Sequence, residues 1–314
     1  QNPFKFGMVG ATDSHTAFSS AEEDNFLGKY ALDSIPENGN KETVPGAVGW
    51  DASAQGLAGV WATENTREAI TAAFKRKEVY ASTGPRISLR FFGGYDFAPG
   101  HAEAVDLAEV GYRYGVPMGG DLAQPDGGKA PSFLIHAAKD PAGANLDRVQ
   151  VVKGWLNVDG TVDERVYDVA LSDGRTDGRV PVGNTVDLET VSYTNDIGDA
   201  ELVAVWTDPD FVPGLRSFYY VRVLEIPTPR HSVFDAVALG IDPEETNKPS
   251  IIQERAYSSP IWYTPDDARA LPAEVLALAR EKAPTVDEVL ADGFAQMTGD
   301  EIGGLIGQML ILRN

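Results

Sequence analysis

Asp13 and His15 stand two residues apart in the segment Gly10-Ala11-Thr12-Asp13-Ser14-His15-Thr16, which follows an apolar, strand-like run from Phe4. In an extended chain, residues two apart project to one side, so a carboxylate and an imidazole reach the same region of space. That pair suits Zn, Mn or Fe, which accept oxygen and nitrogen ligands. Metal sites in α/β barrels also collect at the C-terminal ends of strands. The same residues make an ordinary turn as well, in which Asp13 caps Ser14 or Thr16 and His15 lies at the surface. The D-x-H spacing alone does not separate these readings.

Glu22 and Glu23, with Asp24 beside them, are candidates for a substrate site, a cation site or groups that orient a metal's ligands. Ser19 and Ser20 each precede a Glu by three residues, a capping-box pattern. Acids are favoured in a helix's first turn, so a plain capped helix also accounts for them. Arg86 closes Ser82-Thr83-Gly84-Pro85-Arg86, where hydroxyls and a guanidinium could meet an anionic substrate. The other reading is a domain-joining turn with Arg86 paired to an acid. His101 falls in a Gly-rich acidic loop, His136 in a strand and His231 in a turn after Pro229. Arg230, His231, Tyr257 and Trp262 could line a pocket. Trp155, Tyr167, Trp206 and Phe218 to Tyr220 could stack on a sugar, but strand packing explains them better. Walker, Rossmann and H-E-x-x-H patterns and the twelve-residue calcium loop are absent.

These residues need elements to hold them. The run from Phe4 to Thr16 reads as a short buried strand and a polar turn. Residues 31–56 form a long loop rich in Gly and Pro. A strand over 57–63, a helix over 66–77 capped by Asn65 with Glu68, and a strand over 78–83 make one strand–helix–strand unit. From Ile87 the period becomes two, with strands expected at 132–138, 148–157, 165–172, 201–207 and 217–226. Asp159-Gly160 marks a hairpin between two of them. The expected fold is therefore α+β: an α/β portion over 1–85, an antiparallel β-sandwich over 86–263 with a Gly-rich excursion at 92–130, and a short helical tail over 264–314.

Composition narrows the function. The chain has 314 residues with 47 acids against 26 Lys and Arg, a net charge of −21. Phosphate backbones and anionic membranes would repel it, so nucleic-acid binding is not expected. There is no cysteine, which removes disulfides, thiolate zinc sites, iron–sulfur clusters and thiol nucleophiles. No apolar run reaches 18 residues, so no membrane span is expected. The chain opens without an initiator Met, directly into an apolar run, and closes on another at 309–314. Both ends read as those of a fragment.

Longer motifs add a family resemblance. FGMVGATDSHTAFSSAEEDNFLGK, WATENTREAITAAFKRKEVYASTGPRISLRFFGG, EVGYRYGVPMGGDL, GANLDRVQVVKGW, FYYVRVLEIPTPR and IQERAYSSPIWYTP resemble the bacterial domain of unknown function 3604 family, over almost the whole chain to Pro265. That family resembles a branch of the PHP (polymerase and histidinol phosphatase) superfamily of metal-dependent hydrolases. The resemblance implies a distorted barrel whose strand ends hold two or three divalent metals. The superfamily's last motif, G-[ST]-D-x-H, is matched by Gly10, Thr12, Asp13 and His15 with Ala11 inserted. Asp13 and His15 are then metal ligands, and the metal is Zn, Mn or Fe. The superfamily's earlier His-x-His and carboxylate motifs have no counterpart in the twelve residues before Asp13. The resemblance thus implies the C-terminal end of a PHP-like barrel (1–85) followed by the β domain (86–263), with the remaining ligands in a missing N-terminal half. It is also compatible with export to the periplasm.

Two functions remain. One is a part of a metal-dependent hydrolase that uses metal-activated water on an ester, phosphoester or amide, inactive without its other half. The other is a non-catalytic acidic β-sandwich module that binds a polymer or partner, with Asp13 and His15 in a plain turn.

Overall fold

The alternation of apolar and polar residues beyond Ile87 supplies most strands of two β-sheets that share one core. In the computed structural model the described residues are 5–18, 20, 22–44, 46–51 and 55–265. The first part carries β1 (Glu42–Val44), β2 (Ala47–Val48), β3 (Leu57–Val60), α1 (Arg67–Arg76) and β4 (Val79–Ser82). Then come β5 (Ser88–Gly94), α2 (Leu107–Tyr114), β6 (Gly115–Pro117), β7 (Asp121–Leu122), β8 (Ser132–Ala138), β9 (Leu146–Leu156) and β10 (Val162–Leu171). The last elements are β11 (Glu201–Thr207), β12 (Ser217–Glu225), β13 (Thr228–Pro229), α3 (His231–Leu239), β14 (Ile251–Ile252), β15 (Arg255–Ser258) and β16 (Ile261–Tyr263).

The larger sheet runs β10-β9-β12-β15-β4-β3, with β16 joined to β12 and β7. The smaller runs β11-β8-β5-β6. The fold is mixed α+β, mostly sheet, and the described residues form no closed barrel. One ladder joins strands far apart in sequence: Ala256, Tyr257 and Ser258 of β15 pair with Ser82, Ala81 and Tyr80 of β4. The strands before Arg86 and those after it therefore lie in one sheet.

Sequence pattern and structure agree closely in the long strands. β8 and β11 occupy the residues expected, and β9 and β10 form a hairpin whose Gly160 takes φ 83°. Tyr219, Val221 and Val223 point from β12 into the core, where they meet Phe91, Phe133 and Ile135 from the smaller sheet. Helix α1 also forms, but its cap is Thr66, whose hydroxyl accepts from the Ala69 amide at 3.3 Å. Asn65 is not the cap. Lys77 closes the helix in the left-handed region at φ 62°.

Several expectations need correction. Residues 5–14 join no ladder, so Asp13 follows an extended but unpaired segment. The excursion at 92–130 contains α2, capped by Asp106 onto Glu109 at 2.8 Å. His231 begins α3 and is not in a turn. The capping box proposed at Ser19 and Ser20 does not form at Ser20: its hydroxyl accepts from the Leu27 amide at 3.0 Å, and a short 3-10 turn spans Glu23–Asn25. Ser19 and the helices expected beyond Pro265 lie outside the described residues.

An ion pair lies in the core between the sheets. Lys153 on β9 lies 2.7 Å from Asp208, which follows β11, and both are buried. Tyr219 donates to the same carboxylate at 2.7 Å, and Lys153 also donates to the Asp210 carbonyl at 2.7 Å. The pair links the two sheets and is satisfied on every side. Removing one partner strands the other charge, which typically costs about 3–5 kcal/mol. Lys153→Met should therefore destabilise by that order, and Lys153→Met with Asp208→Leu should recover most of it. Urea melts of both variants check this; equal losses in the two would mean the pair is not a coupled unit.

Candidate functional site

The Asp13–His15 turn is held against the edge of the larger sheet. The Met8 amide donates to Ser259 Oγ at 2.9 Å, and Lys5 pairs with Asp121. Gly10 lies so close to the Leu57 carbonyl, and Gly56 to the Ala11 carbonyl, that neither has room for a Cβ. Glycine is what lets these two stretches of backbone touch. Asp13 itself takes a left-handed backbone at φ 53°.

The turn brings the two side chains together. His15 Nδ1 lies 2.8 Å from the Asp13 carbonyl oxygen and 3.9 Å from Asp13 Oδ1. The His15 amide donates to the Lys29 carbonyl at 2.8 Å, and the ring packs on Tyr30 at 4.7 Å between centroids. His15 Nε2 has no hydrogen-bond partner among the described residues. The Asp13 carboxylate pairs with the Lys29 ammonium, which holds the carboxyl below its usual range. It does not cap Ser14 or Thr16. Those amides are met instead by the Thr12 and Ser14 hydroxyls, at 3.3 and 3.4 Å. Among the described residues no group of three or more His, Asp or Glu side chains is placed to hold a metal ion.

Glu22, Glu23 and Arg86 meet elsewhere, around one cavity of about 330 Å³. Asp24, Asp140, Glu225 and Glu254 line the same space. Arg86 reaches Glu22 at 3.6 Å and Asp140 at 3.8 Å, and its amide donates to Asp140 Oδ2 at 2.7 Å. Its guanidinium is largely exposed, so these ion pairs contribute little to stability.

Glu23 is drawn inside. Its carboxylate accepts from the His231 amide, at the N-terminus of α3, and lies 3.2 Å from His231 Nδ1. Arg230, the residue that precedes α3, offers no side-chain cap, so Glu23 supplies one from a distant part of the chain. The His231 ring is buried and stacked on Phe26 at 3.8 Å. Burial would raise the Glu23 carboxyl, but the hydrogen bonds and positive charge around it prevail and lower it. Its neighbour Glu254 moves the other way. Burial, then the Glu23 charge, holds Glu254 up near 8. Thr83 also donates its hydroxyl to Glu254.

A second cavity of about 640 Å³ lies against the same pair, Glu23 and Glu254. Arg230, His231 and Tyr257 line it together. Trp262 does not, being packed on Phe218 at 5.3 Å.

Residues 1–265 match the family described as "Protein of unknown function (DUF3604)". The chain belongs to this family. Neither a curated protein nor a solved structure matches it. No helix among the described residues of this DUF3604 chain is long and apolar enough to cross a membrane.

Asp140, Glu225, Glu254 and Thr228 did not emerge from the sequence as site residues, yet two of them left a signal. Glu225 is in phase with Tyr219, Val221 and Val223 on the core face of β12, and Glu254 with Ala256 and Ser258 on β15. An acid on the apolar phase of a strand is anomalous. The β12–β15 register places the two opposite each other, with the Glu225 amide donating to the Glu254 carbonyl at 2.9 Å. Burial, then the charges of Glu254 and Asp140, push Glu225 up to about 9.

Between its ordinary value of 4.5 and about 9, Glu225 in the folded chain keeps a proton that the unfolded chain has lost. Stability contributed by this group is therefore complete below 4.5 and declines as pH rises to about 9. Glu225→Gln should flatten that decline and melt above the wild type at alkaline pH. Thermal melts at about pH 5, 7 and 9 check it; parallel curves would mean Glu225 is not the protonated group.

Proposed function

We propose that this chain is part of a metal-dependent hydrolase, in which Asp13 and His15 supply two ligands to one divalent ion, Zn, Mn or Fe. The observation that carries the reading is the state of His15. Its Nδ1 is held by the Asp13 carbonyl, 3.9 Å from the Asp13 carboxylate, while Nε2 has no partner among the described residues. Metal-binding histidines are oriented in this way, with one ring nitrogen fixed by a carbonyl or carboxylate and the other free to ligate. The donor types fit the ion, and the described residues supply only these two. The remaining ligands would come from chain outside them, as expected if residues 1–85 are the C-terminal end of a PHP-like barrel.

When bound, such an ion activates water and stabilises negative charge that develops at an ester, phosphoester or amide. The chain's own part is to fix geometry. The close glycine contacts at Gly10 and Gly56 set the turn, the Lys29 carbonyl holds the His15 amide, and Tyr30 limits the ring. Lys29 also neutralises Asp13, so it competes with a metal for the carboxylate. Exposed ligands that are not held by a full shell bind weakly.

Zn²⁺ should therefore bind the chain weakly, and His15→Ala and Asp13→Ala should each abolish that binding. Lys29→Met, which frees the carboxylate, should tighten it several-fold. Calorimetric titration of the three variants, with His15 ring signals followed by NMR, decides the matter. Zn²⁺ binding indifferent to Asp13 and His15 would refute the assignment.

A further inference from the structure

The acidic cavity is not explained by a metal at Asp13 and His15, and its lining carries a ligand signature of its own. Six carboxyl groups surround it, from Glu22, Glu23, Asp24, Asp140, Glu225 and Glu254, against the single cation of Arg86. Acids alone would not make a site. Two polar atoms in the wall are decisive. Glu225 is 1% exposed and Thr228 7% exposed, and Glu225 Oε1 and Thr228 Oγ1 have no hydrogen-bond partner among the described residues. Leaving a buried acceptor unsatisfied costs about 1–3 kcal/mol, so folded chains rarely keep two in one cavity unless something fills it.

The chemistry narrows the occupant. The arrangement does not favour a bare metal ion, since among the described residues no three of these carboxylates converge as ligands. An anion would face six acids, and Arg86 is already engaged by Glu22 and Asp140. The space of about 330 Å³ is at the lower end of small-molecule sites. Part of its wall is apolar, from Pro85, Val191 and Phe234. Such a cavity takes an alkyl chain that ends in an N–H donor carrying positive charge.

We propose that this cavity binds a small aliphatic ammonium compound, a mono- or diamine, whose N–H groups reach Glu225 and Thr228. The inference stands apart from the metal reading. The ammonium would give Glu225 the counter-charge it lacks. Glu225 faces Glu254 from β15 and Asp140 with Lys139 from the turn after β8, and the charge of Glu225 also acts on Tyr193 from the loop between β10 and β11. Only Lys139 among these is basic. Its ammonium is spent on the Asp140 and Gly143 carbonyls, at 3.1 and 2.6 Å. Binding should therefore expel the Glu225 proton and tighten with pH, by at most about tenfold per unit.

Putrescine is the probe, titrated calorimetrically into the chain at about pH 6, 7.5 and 9 in buffers of different ionisation enthalpy. The expected result is saturable one-to-one binding with uptake of a proton by the buffer. Glu225→Gln should weaken it about tenfold or more, and Thr228→Val should weaken it several-fold. Melting curves establish that both variants fold. Choline, a cation without N–H donors, and Ca²⁺ should bind much more weakly. The proposal is overturned if putrescine does not saturate at millimolar concentration at the highest pH. It is equally overturned if both folded variants bind as the wild type does, or if choline or Ca²⁺ matches putrescine.

Discussion

The Glu23 carboxylate, drawn inside the protein, ties its own segment to the start of α3. A buried carboxylate is tolerated only where donors and counter-charge surround it. Here they come from far along the chain: the His231 amide at the start of α3, with the imidazole Nδ1 3.2 Å away, and Glu254, ahead of β15, whose carboxyl burial and the Glu23 charge raise. Helix α3 in turn holds the loop that precedes β3. Asp235 accepts from Trp50 Nε1 at 2.8 Å, and Arg230 donates to the Trp50 carbonyl at 2.7 Å. One acid thus fastens a segment with little regular structure to a sheet built mostly from residues more than a hundred positions away.

The same acid explains which parts of the fold were legible in the sequence. Strands such as β8, β11 and β12 are set by local alternation, and α1 by a cap and a closing turn within its own residues, so each can be read without knowledge of the rest. Helix α3 cannot. It has no capping side chain at Arg230, and its N-terminal acid lies 208 residues earlier. Helix α2 was hidden for a different reason, a Gly-rich setting in which Gly111 packs so tightly on Phe92 that no Cβ would fit. The run before Asp13 has strand composition but meets its neighbour through glycine contacts and not a ladder. Composition shows that a segment is apolar and extended; it does not show whether a partner strand stands beside it.

The candidate sites divide along the same line. Asp13 and His15 are neighbours in sequence and remain neighbours in space, so a short motif contained all the information about their pairing. Glu22, Glu23 and Arg86 were visible as residue types, but only the fold reveals that they border one cavity. Glu225 and Glu254 are the instructive case. Glu225 interrupts the apolar phase of β12, which marks it as unusual, yet the pairing of β12 with β15 is needed to bring Glu254, just ahead of β15, opposite it. Like charges set opposite each other are unfavourable, and burial, then the charges of Glu254 and Asp140, raise the Glu225 carboxyl.

The backbone at Asp13 has a bearing on which substitutions this position can accept. A left-handed conformation is reached without much strain by glycine, asparagine and aspartate, and the φ of 53° falls within it. Glycine and asparagine would preserve the path of the turn and forfeit the charge; glutamate would preserve the charge and strain the path. Aspartate alone satisfies both demands, and the two failures are distinguishable, one appearing in the pairing with Lys29 and the other in the shape of the chain. A tolerance map of this single codon would therefore separate a need for shape from a need for charge, which no alanine replacement can do.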